Sequence, residues 1–162
     1  MGTRINGAVK GKTAERDVAN YLKAHGIETA RRSVSTGTIH TPDRGDIDGV
    51  PGFAIQVKNL ARRLEGKLLA DVWREACQQA VAMAQQSRAS GIEAVSPVIV
   101  EKRAGSSDVG RWWIHMSDRV YVRMITGRWQ WVGPSLHLVR VEVGDVIGDW
   151  VSWVRELERA EG

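Results

Sequence analysis

Three observations predict an α/β domain. Residues 13–25 and 68–87 repeat apolar side chains at the helical period, residues 45–59 read as a tight turn feeding an apolar strand, and residues 96–102 form a second β-branched run. Helices alternating with short extended segments predict a sheet covered by helices. At 162 residues the chain is one domain, large enough to bury a core without staples.

Residues 2–11 are polar and Gly-rich and predict a mobile basic arm. The first helix, 13–25, places Ala14, Val18, Tyr21, Leu22 and His25 on one arc, with Gly26 as its stop. Glu15 falls at the edge of that arc beside Leu22, while Arg16 and Lys23 project from the solvated side. Taken alone, a helix-edge glutamate is a surface charge. The hairpin that follows makes it a candidate ligand.

The pair Arg31-Arg32 precedes a loop, 33–44, rich in Ser, Thr and Gly, where Ser35, Thr36 and His40 are candidates for phosphate contact; a solvated loop histidine is the plainer reading of His40. Gly49, Pro51 and Gly52 then punctuate two short runs and predict a hairpin. Along the second run Phe53, Ile55 and Val57 point one way, and Ala54, Gln56 and Lys58 the other. If Asp46 on the paired strand faces the Gln56 side, its carboxylate and the Gln56 carbonyl can both reach a hard cation such as Mg²⁺, which takes oxygen ligands at about 2.0–2.1 Å. Asp43 reads as a loop residue. Asp48 shares the face of Asp46 and is either a solvated turn acid or an auxiliary to the metal.

In the second helix, 68–87, the arc Leu69, Val72, Trp73, Ala76, Cys77, Ala80, Met83 and Ala84 covers a sheet face, with Gln79 at its edge and Gln78 outside. Strands at 96–102 and 111–116, joined by the turn-like 104–110, extend the sheet, and Lys102 and Arg103 either contact a nucleic-acid backbone or end a strand in solvent. After Ser117, Val120, Val122 and Met124 alternate like a strand, and a helix stays open as the alternative. Residues 137–143 predict a strand and 145–160 an amphipathic helix, whose Trp150 and Trp153 either close the core or meet a second copy.

The net charge is +4, and residues 1–67 hold 12 Lys/Arg against 7 Asp/Glu while residues 68–162 hold 11 against 12. The basic surplus therefore sits with the hairpin. Arg4, Lys10, Lys12, Arg31, Arg32, Arg44, Arg62, Arg63 and Lys67 can neutralise phosphates, which points to a polyanionic partner. The single cysteine, Cys77, excludes a disulfide framework, predicts a buried, inert thiol and suits a reducing cytoplasm. No signal-peptide core or membrane-spanning run is present, and a membrane role is not expected.

Glu15 on a helix, Arg31-Arg32 on a following strand, Asp46 on a hairpin, Gln56-x-Lys58, and Gln79 on the next helix together resemble the PD-(D/E)XK nucleases, within them the phage and archaeal Holliday junction resolvase-like family. The resemblance spans residues 11–116 and extends to Lys58-Asn59, Trp73, Glu75-Ala76 and Lys102-Arg103. It implies a restriction-endonuclease-like core (α-β-β-β-α-β) at 12–126, a mixed central sheet flanked by helices, with a strand-helix extension over 127–162 packed on the core or at a dimer interface. It further implies a divalent-metal-dependent DNA endonuclease acting on four-way junctions or other branched DNA, working as a homodimer with Mg²⁺ or Mn²⁺, in the host cytoplasm if phage-encoded. Products would carry a 5′-phosphate and a 3′-hydroxyl. Glu15, Asp46, Gln56, Lys58 and Gln79 are then the expected catalytic set, the first three as metal ligands, and Lys58 either activates the water or stabilises the transition state. Most members carry Glu or Asp where this chain has Gln56, and a neutral amide holds a cation less strongly. A non-catalytic DNA-binding module and a nuclease of linear duplexes are the alternatives.

Overall fold

The computed structural model describes residues 7–34, 45–87 and 94–161. The elements run α1 (Gly7–Ala24), β1 (Arg31–Arg32), β2 (Ile47–Asp48), β3 (Phe53–Lys58), α2 (Gly66–Ser87), β4 (Ser96–Glu101), a 3-10 turn (Val109–Arg111), β5 (Trp113–Ser117), α3 (Asp118–Thr126), β6 (Leu138–Glu142) and α4 (Val143–Glu161). The architecture is α/β, a mixed six-stranded sheet in the order β1-β2-β3-β4-β5-β6 with helices on its faces. Among the described strands only β3 and β4 pair in parallel. Parallel neighbours need a crossover, and α2 supplies it.

Strand alternation decides what each face buries. Phe53, Ile55 and Val57 of β3, Val98 and Val100 of β4, and Ile114 and Met116 of β5 join α1, α3 and α4 in the main core. The opposite face holds a smaller cluster in which Leu64, Val72, Ala76 and Ile99 pack with Leu60, Leu68, Leu69 and Trp73, so α2 covers that side. Each fully buried aliphatic or aromatic side chain contributes about 1.5–3 kcal/mol, which places most of the stability on the first face. Phe53 meets Trp150 and Trp153 edge-on, at 5.5 and 4.8 Å between ring centroids. The helix α4 therefore closes this core.

One expectation is corrected here, and one left open is decided. The first helix starts at Gly7, so residues 7–11 do not belong to a mobile arm. Thr13 donates to the Val9 carbonyl, and Asn59 reaches the Lys10 carbonyl at 3.5 Å, contacts that carry the helix through Gly11 despite its poor propensity. The segment after Ser117 is helical: Ser117 caps it by accepting from the Val120 amide, and Gly127 closes it in the left-handed region. Val120 and Met124, four apart, are its buried positions, and Val122 is only half-buried. Among the described residues no helix is long and apolar enough to cross a membrane.

Candidate functional site

The hairpin forms with the alignment Ile47 opposite Ile55. Ile47 is in the main core, so Asp46 and Asp48 face the other side, the side of Gln56 and Lys58. One step further in that register sets Asp46 across from Gln56. The Asp46 amide donates to the Ile55 carbonyl at 2.7 Å, and its Oδ2 accepts from the Val57 amide at 2.7 Å. The carboxylate thus stands in for a backbone carbonyl in the ladder, which fixes its orientation relative to Gln56 and Lys58. Gly45 makes this possible: with φ +91°, a Cβ there would lie 2.6 Å from the Ile55 carbonyl oxygen.

Gln56 is 1% exposed, and its Nε2 donates to Gln79 Oε1 at 2.8 Å. Its own Oε1 is buried without a hydrogen-bond partner. An unsatisfied buried carbonyl costs about 1–3 kcal/mol and calls for an explanation. Gln79, on the buried side of α2, thus reaches across to β3.

Glu15 lies within electrostatic reach of the same point. Burial and then the Asp46 carboxylate push its carboxyl above the ordinary 4.5, partly opposed by Arg32, Lys12 and Lys58. Arg32 Nε lies 3.9 Å from its Oε2. Arg32 in turn lies beside Ile47 in β1, and Arg31 beside Asp48. Among the described residues no three His, Cys, Asp or Glu side chains group as a metal centre. A cation here would take two carboxylates and one amide oxygen, an all-oxygen set that suits a hard divalent ion.

The remaining expected contacts divide. Arg4, Ser35, Thr36 and Arg44, with His40 and Asp43, lie outside the described residues. Lys10 and Lys12 are exposed on α1. Arg62, Arg63, Lys102 and Arg103 come together around a cleft of about 350 Å³. Cys77 is half-buried rather than fully so, and burial pushes its thiol up.

A polar pair that the sequence reading missed lies under this cleft. Glu101 Oε1 and His115 Nε2 are 2.9 Å apart, both nearly sealed from solvent, and Glu101 Oε2 accepts from the Leu64 amide at 2.7 Å. Glu101 pairs with Lys58 across the parallel strands, so it ties the strand carrying Lys58 to the segment carrying Arg62 and Arg63. The signal was an acid at an inward position ending the apolar run Pro97–Val100. Compared with known proteins, the chain matches no family model, no curated sequence and no solved structure.

Proposed function

We propose that the protein is a divalent-metal-dependent DNA endonuclease with a restriction-endonuclease-like core, acting on branched DNA such as four-way junctions. The reading is carried by the orphaned, buried Gln56 Oε1, set in register with the Asp46 carboxylate and beside Lys58. The element order α-β-β-β-α-β from α1 to β4 supports it.

Asp46, Gln56 and Glu15 would hold Mg²⁺ or Mn²⁺. The bound ion would neutralise phosphoryl charge and make water a better nucleophile. The chain's own groups do the rest. The Val57 amide orients Asp46, and Gln79 Oε1, by accepting from Gln56 Nε2, leaves the Gln56 carbonyl as the group available to a ligand. Lys58, on the same face two residues on, holds the attacking water or the phosphoryl oxygens. Arg32, Lys12 and Lys58 offset the negative charge of Glu15. Two matched nicks in a two-fold symmetric junction would come from a homodimer.

Purified protein with Mg²⁺ or Mn²⁺ should cut a four-way junction faster than a flap or a linear duplex; equal cutting of all three removes the junction selectivity. The amide at Gln56 favours one second reading, a DNA-binding module without catalysis. In that case no divalent ion supports cleavage, and Asp46→Asn leaves junction binding unchanged.

A further inference from the structure

Beside Lys58 the sheet carries the cleft described above, walled by Arg62, Arg63, Lys102, Arg103 and Trp113 over Glu101. Its wall is tied to the strand that carries the candidate centre. The Lys102 amide donates to the Lys58 carbonyl at 2.8 Å, and neighbouring strands lie about 4.8 Å apart.

Its cations differ in what they offer. Arg103 is ion-paired with Glu142 at 2.9 Å and lies 4.9 Å over the centroid of Trp113, whose ring also carries Arg140 at 4.7 Å. Its charge is compensated and its plane is held, so it presents a flat, weakly hydrated surface. Arg62 and Lys102 have no carboxylate in ion-pairing range among the described residues, and Lys102 sits 5.4 Å from the centroid of Trp112. These two offer charge. The Glu101 carboxylate is already engaged by the Leu64 amide and His115, so it competes weakly for those cations. A volume of about 350 Å³ fits a nucleotide-sized group. It is too small for a duplex, whose major groove alone is about 12 Å wide.

We infer that this cleft takes one nucleotide that has left the base stack beside the scissile phosphate, with its phosphate on Lys102 and Arg62 and its base on the Arg103 plane. Bases of unpaired strands stack on guanidinium planes as well as on aromatic rings. The inference rests on the nuclease reading and adds that one nucleotide at the branch leaves the stack when branched DNA is bound.

The test is fluorescence anisotropy in EDTA, so that no strand is cut, with a forked duplex bearing single-stranded arms and a blunt duplex of the same sequence. Arg103→Lys keeps the charge and removes the plane; it should weaken fork binding about tenfold and blunt-duplex binding less than about twofold. Lys102→Ala, and Arg62→Ala on its exposed segment, should weaken both substrates and flatten the salt dependence. Wild-type fork affinity in Arg103→Lys, or equal loss on both substrates, overturns the inference. If the wild type still cuts branched DNA with Mg²⁺ in that case, only the nucleotide cleft is lost. Fork-selective loss in a protein that cuts nothing sinks the nuclease reading and keeps the cleft. A wild type that binds neither DNA ends both.

Discussion

The two faces of β3 meet different surroundings. Phe53, Ile55 and Val57 enter an apolar core with α1, α3 and α4, while Ala54, Gln56 and Lys58, one residue out of phase, face a thinner layer where Gln56 donates to Gln79 and Asp46 accepts from the Val57 backbone amide. The same six residues thus divide the main core from the proposed site. Alternation with a period of two is what keeps these roles apart, and a one-residue slip would exchange them.

The sharpest way to break the comparison is to change one face and read both properties. Asp46→Asn should lower cleavage of branched DNA by about 10³-fold in a gel assay. Its melting temperature should stay within a few degrees, because an Asn carbonyl can still accept from the Val57 amide. Phe53→Ala is the mirror experiment. It removes a ring packed on Trp150 and Trp153 and should cost about 3–5 kcal/mol in denaturant unfolding. The fraction that remains folded should bind DNA as the wild type does.

Gln56→Glu sharpens the contrast within the chemical face. A buried carboxylate facing Asp46 should destabilise the metal-free protein by about 1–3 kcal/mol. Mn²⁺ should restore more of that loss than it adds to the wild type, with cleavage kept or raised; abolished cutting in a folded variant would falsify a ligand role for the Gln56 carbonyl. The smallest effect belongs to Glu15. Its carboxyl is raised by burial and by Asp46, so the folded form holds the proton more tightly than the unfolded chain. Stability from this group is complete below 4.5 and declines as pH rises through the raised value. Glu15→Gln should flatten that decline and raise the metal-free melting temperature at pH 7 by roughly 1–2 °C, while weakening the Mn²⁺-induced shift. An unchanged pH profile would show that Glu15 is not part of this electrostatic group.

Much of this layout was legible in the sequence. The periods of α2, β3 and α4 were long enough to read, and Gly49, Pro51 and Gly52 announced the hairpin. What stayed hidden depended on partners distant in sequence. Nothing local predicts that Asn59 would support the start of α1, or that Arg123 would bind Glu156 at 2.7 Å across to α4 and favour a helix over the alternation of Val120, Val122 and Met124. The caps Ser117 and Gly127 were readable and outweighed that alternation. At the candidate site, residue types and strand phase were visible. The orphaned oxygen of Gln56 and the Glu101–His115 pair needed three dimensions, because both arise from which strands become neighbours.

The anchoring of Asp46 to the Val57 amide gives the candidate centre two tiers of rigidity. Asp46, Gln56 and Lys58 ride on one stretch of ladder and would move as a single rigid body if the domain breathes. Glu15 hangs from a separate helix and would drift against them. Loosening α1 should therefore loosen grip on a cation well before it misaligns the lysine, making that helix a natural place to tune affinity without retooling the chemistry.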